Sequence, residues 1–167
     1  MIPELKQFIE ENIGLISDNE FNDVYNKIKS YKFTRLFTEA MLEAEINPLN
    51  HMRAVPSHYL YGSNKQHVDI PSSVIVIDRY SFAHCRQLKQ ITLLEGVVKI
   101  CEGAFMNCSK LEEVHLPSTL KYIDVGAFQE CNNLKVVTFA GTTKQWLNVK
   151  DIDGSLLRFE PVKCSDN

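Results

Sequence analysis

Cysteine is the first residue type in this sequence whose spacing raises a chemical question. Cys85, Cys108 and Cys131 follow one another at intervals of 23 residues, and His84 adjoins the first of them. A zinc ion needs three or four ligands that converge at about 2.0–2.3 Å, whereas residues repeated along a stack of turns point their thiols in parallel. We therefore predict buried thiols with weak hydrogen bonds to backbone and no bound metal. Cys101 and Cys164 fall outside this series and receive no role.

Histidine and paired carboxylates are the next candidates for chemistry. His115 lies between two apolar residues, so we expect its side chain to point away from the core. Glu112 and Glu113 are adjacent, but the sequence shows no nucleophile or pocket beside them for acid–base work. No P-loop, nucleophile elbow or dinucleotide-binding glycine pattern is present. The sequence predicts no catalytic residues, no cofactor and no enzymatic activity.

A cluster of basic and aromatic residues between Lys27 and Arg35 suggests an alternative function. Bases stack on aromatic rings and phosphates pair with cations, so such a cluster could hold a nucleic acid. The same cations are also favoured near a helix C-terminus, and the aromatic residues continue apolar stripes. The net charge of −3 does not favour nucleic acid either. Nucleic-acid binding is kept as the alternative to protein binding, through the basic residues Lys27, Lys29, Lys32 and Arg35, with Tyr31 and Phe33 between them.

Seven columns of similar residues share a period of 23 and define the architecture. One turn of such a repeat cannot bury its own apolar side, but stacked turns bury one another at a spacing of about 4.8 Å. Each column must then repeat one type of residue. Besides the cysteines, the columns are Phe82, Phe105 and Phe128; Ile77, Ile100 and Ile123; Leu88, Leu111 and Leu134; Ile91, Val114 and Val137; Leu93, Leu116 and Phe139; and Val74, Val97 and Leu120.

A degenerate turn precedes the three full ones. Val55, Leu60, Ser63 and Ile70 fall near the Ile, Phe, Cys and last apolar positions, and the step from Val55 to Ile77 is 22 residues. This turn is therefore one residue short of the period.

The segments 70–74 (Ile-Pro-Ser-Ser-Val) and 116–120 (Leu-Pro-Ser-Thr-Leu), each followed by the Phe and Cys columns, carry a family resemblance. The chain resembles the BspA-type leucine-rich repeat family over about residues 55–140. The resemblance implies a solenoid with short parallel strands on one face and a binding role, and it implies no catalytic residues. One turn departs from the pattern, with Leu93-Leu94-Glu95-Gly96 in place of Leu-Pro-x-x.

The tail is similar to closing segments of such repeat proteins from gut bacteria and their phages. The similarity lies in residues 141–146 (Gly-Thr-Thr-Lys-Gln-Trp) and in the Cys-Ser-Asp-Asn terminus. Trp146 lies 23 residues after Ile123, where the next isoleucine of that column would stand. We expect residues 141–167 to form a C-terminal cap in which Trp146 covers the last open turn.

The first 53 residues have a helical pattern instead. Apolar residues recur at helical spacing over about 5–13, 21–28 and 33–44, and Ser17 to Glu20 has the form of a capping box. The fold class is therefore α+β: a helical block over 1–53, a short leucine-rich repeat solenoid over 54–140, and the cap. The block is either an N-terminal cap or a separate docking module, and the sequence leaves both open.

Partner binding is predicted on the outward side of the strands, at 89–93, 112–116 and 135–139. The mixed charge of this row favours a protein partner. Its width of roughly 15–20 Å is small for a complete interface, so the helical block or a homo-oligomer would have to add area. The candidate residues are Lys89, Gln90, Thr92, Glu112, Glu113, His115, Lys135, Val136 and Thr138.

Location and a more specific function complete the predictions. No run of about 18 apolar residues predicts a membrane span, and the start lacks the pattern of a signal peptide. Five cysteines without a C-x-x-C fit reduced thiols. We expect a cytoplasmic protein, in the host cytoplasm if phage-encoded, whose more specific role would be to bind and inhibit a host defence protein.

Overall fold

The computed structural model describes residues 48–154, 156 and 162–166. The helices that the sequence predicts within residues 1–47, and the basic stretch from Lys27 to Arg35, lie outside this part of the chain.

The described chain winds into a solenoid whose turns contribute strands to two parallel sheets. The strands are β1 (Ala54–Val55), β2 (Val76–Ile77), β3 (Gln90–Thr92), β4 (Lys99–Ile100), β5 (Glu113–Leu116), β6 (Tyr122–Ile123), β7 (Val136–Phe139) and β8 (Lys150–Asp151). A narrow sheet of two-residue strands has the order β1-β2-β4-β6-β8, and a broad sheet of three- and four-residue strands has the order β3-β5-β7. A 3-10 helix covers Pro48–His51 and a short helix, α1, covers Thr143–Trp146.

Strand register confirms the 23-residue columns. In the broad sheet Ile91 pairs with Val114, which pairs with Val137. In the narrow sheet Val55 pairs with Ile77, so the degenerate turn keeps its place although it is one residue short. The predicted solenoid with parallel strands on one face is confirmed. The second, narrow sheet was not predicted, because strands of two residues are too short to leave an alternating pattern.

Phenylalanine rings form the centre of the core. Phe82, Phe105 and Phe128 are fully buried, and consecutive rings stack with centroids 5.2 Å apart and planes within 12° of parallel. Tyr59 ends this stack edge-on, with its ring 6.1 Å from that of Phe82. Leu60 holds the backbone position of the phenylalanine column in the first turn, since its N–H donates to Ser81 just as Phe82 donates to Ala104. The short turn therefore supplies its ring from the preceding residue.

The cysteine column follows the prediction. Each buried thiol donates to the backbone carbonyl of the preceding turn: Cys85 to Leu60 at 3.0 Å, Cys108 to Phe82 at 3.1 Å and Cys131 to Phe105 at 3.2 Å. The thiols thus form a ladder along the solenoid, not a converging site. Cys101 and Cys164, which lie outside the column, are both buried at 8% exposure.

The C-terminal end departs from the repeat at α1. Thr142 and Gln145 form a capping box at the start of this helix, which adds residues to the last turn. Asp151, and not Trp146, pairs with Ile123 in the narrow sheet, so the expected place of Trp146 in the isoleucine column is wrong. Trp146 is nevertheless buried, with its ring 5.4 Å from that of Phe139. The chain then returns to the broad sheet, where Lys163 forms a parallel bridge with Thr138.

Candidate functional site

The broad sheet places the predicted binding residues in two outward rows. One row runs through Gln90, Glu113 and Val136, and the parallel register sets each of them beside the next. The second row runs through Thr92, His115 and Thr138 in the same way. Neighbouring strands lie about 4.8 Å apart, so side chains in one row contact one another. All six are exposed or half-exposed, as expected for positions that alternate with the core columns.

His115 links two other polar side chains on this face. Its Nδ1 lies 2.7 Å from Thr138 Oγ1, across the strand boundary, and its Nε2 lies 3.5 Å from Glu113 Oε2 on the same strand. The sequence did not predict the contact between His115 and Thr138, because the two residues are 23 positions apart and only the strand register brings them together. The three groups hold one another in a defined orientation on an otherwise flat surface.

A carboxylate, an imidazole and a hydroxyl in this order also occur in acyl-transfer enzymes. Acyl transfer further requires donors that stabilise the developing oxyanion. The two backbone N–H groups that follow Thr138 are engaged elsewhere, since Phe139 donates to Lys163 and Ala140 donates to Leu116. The arrangement is therefore better suited to fixing the position of side chains that meet a partner.

The rim of the face carries opposite charges in one column. Lys89, Glu112 and Lys135 are all exposed, and Lys135 Nζ lies 3.6 Å from Glu112 Oε2. An exposed pair of this kind contributes about 0–1 kcal/mol to stability. These charges are thus available to a partner at little cost to the fold.

A mostly apolar groove lies at the carboxyl ends of the broad-sheet strands, where sequence reasoning placed no site. It has a volume of about 480 Å³. Leu94, with 42% exposure, is among the most exposed large apolar side chains of the described residues. The sequence did contain a signal for this groove. Leu94 directly follows the last core column of its turn, and it stands where the repeat pattern has a proline. The lining includes Leu94, Pro117, Ala140, Lys163 and Ser165, beside His115 and Thr138.

A second groove lies on the other side of β3, against the segment His67–Pro71 of the first turn. Asn50, Val68 and Ile70 line one wall, and Gln90, Thr92 and Leu94 line the other. Thr92 and Leu94 border both grooves. The two grooves and the polar rows therefore form one continuous surface, which we call the strand face.

Other chemistry finds little support in the described residues. No group of three or more His, Cys, Asp or Glu side chains there is arranged to hold a metal ion. Burial raises the pKa of the Cys85 thiol to about 12, and the pKa of Cys101 is raised by the same cause. Thiols that stay protonated are poor nucleophiles and poor metal ligands. The nucleic-acid patch at Lys27 to Arg35 falls outside the described residues and stays a prediction.

None of the helices in the described part of the chain has the length and apolar character needed to cross a membrane.

Comparison with known proteins places this geometry in context. The pattern of the BspA type Leucine rich repeat region matches residues 53–151 in six copies. A leucine-rich repeat protein from Bacteroides ovatus has a similar structure at 27% identity, with a TM-score of 0.53 over 68% of this chain and 28% of that chain. A leucine rich cell surface protein from Faecalibacterium prausnitzii is 30% identical, with a TM-score of 0.48 over 50% of this chain and 22% of that chain. No curated protein matches the chain.

Proposed function

The chain belongs to the BspA-type leucine-rich repeat family, and from this membership and the strand face we propose that it is a protein-binding module without catalytic activity. The observation that carries the proposal is the strand face itself. It combines an apolar groove that begins at Leu94 with polar side chains held in a fixed orientation at His115 and Thr138. Protein interfaces combine an apolar centre with polar groups that fix the register of the partner.

The size of the strand face bears on how a partner binds. Three strands alone span a width of roughly 15 Å. A surface of that width is too small to bury the ~800 Å² per partner of a standard interface. The grooves on either side of Leu94 extend the surface to His67–Pro71 at one end and to Lys163 at the other. We propose that the grooves belong to the interface, which removes most of the shortage of area.

The identity of the partner is a narrower proposal. We keep the hypothesis of a phage or bacterial protein that binds and inhibits a host defence protein in the cytoplasm. The five free, buried cysteines support a reducing compartment. One structural neighbour is described as a cell surface protein, and the chain spans only 22% and 28% of its two neighbours, so their location and partners are not transferred to it.

An affinity experiment with matched variants tests the binding role. We would immobilise the full chain and collect bound proteins from bacterial lysate in parallel with two variants. His115→Ala removes the centre of the strand face, whereas Lys121→Ala changes an exposed residue beside the narrow sheet. A stoichiometric protein that binds the wild type and Lys121→Ala but not His115→Ala is the expected result. A lysate that yields no such protein contradicts the proposal.

The non-catalytic part of the proposal has its own test. The arrangement of Glu113, His115 and Thr138 would support hydrolysis of an activated ester if it were catalytic. We expect wild type and Thr138→Ala to hydrolyse p-nitrophenyl acetate at the same rate. A rate that falls more than about tenfold on loss of the Thr138 hydroxyl would show that the group is a nucleophile.

A further inference from the structure

The broad sheet opens at its first strand. In the full turns, one backbone carbonyl accepts hydrogen bonds from two N–H groups of the next turn. The Lys89 carbonyl accepts from Glu112 and Glu113, and the Glu112 carbonyl accepts from Lys135 and Val136. At the first turn only one such bond remains, from Lys89 N–H to the Gln66 carbonyl at 3.4 Å. Beyond Gln66, the described residues form no further bridge to β3. The first turn therefore separates from β3 where its own strand would be expected to begin.

Within the described part of the chain, the separation leaves the outer edge of β3 without a paired strand. Leu93 donates to His115 and the Lys89 carbonyl accepts from Glu113, so the odd-numbered residues of β3 face β5. Hydrogen-bonding groups of a parallel strand alternate between its two edges, so those of Gln90 and Thr92 face the first turn. Among the described residues, no backbone–backbone hydrogen bond joins Gln90 or Thr92 to Val68 or Ile70. An edge of this kind is a template for another strand.

A groove lies directly beside this edge. The groove between β3 and His67–Pro71 has a volume of about 480 Å³. Ile70 is buried and Val68 packs against the core, so the first turn still closes the core beneath the groove. The opening therefore affects backbone pairing and not core packing.

We propose that this groove binds an extended peptide segment of a protein partner, which pairs in parallel with the edge of β3. The proposal rests on the proposed function, since it describes how one segment of the partner binds. Gln90 and Thr92 together offer two N–H donors and two carbonyl acceptors, which only an extended backbone can satisfy in register. A segment with apolar residues at alternate positions would contact Val68 and Ile70. Residues His67–Pro71 form a second wall opposite β3, so an occupant must enter between two walls, which favours a single extended segment over the sheet edge of a second copy.

Synthetic peptides test the pairing without the natural partner. The probe is a fluorescein-labelled peptide with the sequence of residues 111–117, Leu-Glu-Glu-Val-His-Leu-Pro, which forms such a strand in the solenoid itself. By the register of the sheet, the N–H of its last leucine would donate to β3, as Leu93 donates to His115. N-methylation of that leucine removes the donor, whereas N-methylation of the histidine blocks a group on the opposite edge and is the matched control.

Titration of the full chain with the three peptides, followed by fluorescence anisotropy, gives the result. We expect the unmodified and histidine-methylated peptides to bind alike and the leucine-methylated peptide to bind about tenfold more weakly, since the methyl group also blocks the close approach of the strands. Equal binding of all three peptides, or no binding of any of them, would overturn the proposal. His115→Ala would still lose the lysate partner in that case, so the proposed function would stand.

Substitutions in β3 provide the second arm. Gln90→Pro removes the N–H that faces the groove and leaves the bonds of Lys89 and Leu93 to β5 intact, as proline on an edge strand permits. Gln90→Ala removes only the side chain, and Lys121→Ala changes an exposed residue away from the groove. We expect Gln90→Pro to weaken the peptide about tenfold, Gln90→Ala to weaken it less, and Lys121→Ala to leave it within about twofold, with circular dichroism confirming that all three fold. If Gln90→Pro instead converts a dimer into a monomer, a second copy occupies the edge and the proposal is wrong.

Discussion

The thiol of Cys108 lies 3.1 Å from the backbone carbonyl oxygen of Phe82, one turn earlier in the solenoid. The same bond recurs from Cys131 to Phe105, so the side chain of one column fastens the backbone of another. A thiol is the right size for this place because it fills apolar space and still donates a weak hydrogen bond. The cysteine column is therefore a structural element of the core.

Alkaline pH should destabilise the fold through these thiols. Burial raises the pKa of Cys85 from its usual 9.0 to about 12, while the unfolded chain keeps the usual value. The unfolded state then loses this proton first, so the stabilising effect is complete below about pH 9 and is lost as pH rises toward 12. We expect the urea midpoint of the wild type to fall over this range. The midpoint of Cys85→Ala should fall less, when each protein is compared with its own midpoint at pH 7. An identical pH dependence in the variant would contradict the assignment.

Alkylation provides an independent measurement of the same burial. We expect iodoacetamide at pH 8 to leave Cys85, Cys108 and Cys131 unmodified in the folded protein and to modify them in denaturant, because only an accessible thiolate reacts. Mass spectrometry of the digested protein gives the occupancy at each cysteine. Rapid labelling of the native column would show that the thiols are accessible, contrary to the structure.

Truncation of the central ring should be costly. Phe105 is fully buried between Phe82 and Phe128, with both neighbouring centroids at 5.2 Å. Phe105→Ala should lower the free energy of unfolding by about 3–5 kcal/mol, since the cavity opens inside a continuous stack. Phe105→Leu is the control and should cost less. Thermal denaturation measures both, and an unchanged melting temperature for the alanine variant would refute the stacked core.

Two glycines separate backbone conformation from side-chain contact. Gly62 and Gly103 have φ values of +69° and +59°, but an added Cβ meets nothing within 4 Å at Gly62, whereas at Gly103 it collides with the ring of Tyr80. Gly62→Ala should cost about 1 kcal/mol for the left-handed conformation alone. Gly103→Ala should cost more, because the ring must move and loses its 2.7 Å hydrogen bond to Glu102.

The double variant makes the comparison specific. Gly103→Ala measured in a Tyr80→Ala background should cost no more than Gly62→Ala, because the obstructing ring is gone. If Gly103→Ala lowers the free energy of unfolding by the same amount with and without Tyr80, the ring does not restrict this turn. Denaturant unfolding of the wild type, the three single variants and the double variant provides the numbers.

Removal of the last aromatic side chain probes the C-terminal end. Trp146 is buried and contacts Phe139, although it lies outside the isoleucine column. Trp146→Ala should lower stability by about 3–5 kcal/mol, as loss of a buried tryptophan does elsewhere. Leu147→Ala is the control, since that neighbouring side chain is 77% exposed. Equal effects of the two changes would mean that Trp146 does not close the core.

The sequence by itself determined the columns, because stacked turns demand one residue type at each level and Phe82, Phe105 and Phe128 record that demand at a fixed interval. It also indicated the outward residues of the broad sheet, since Gln90 and Thr92 alternate with Ile91. Tertiary structure alone decided which outward residues meet. Thr138 contacts His115 through the register of two strands, and α1 shifts Asp151 into the place expected for Trp146. The opening beside β3 was likewise invisible, because it arises from hydrogen bonds that the first turn does not make, while its side chains Val68 and Ile70 keep the pattern of a paired strand.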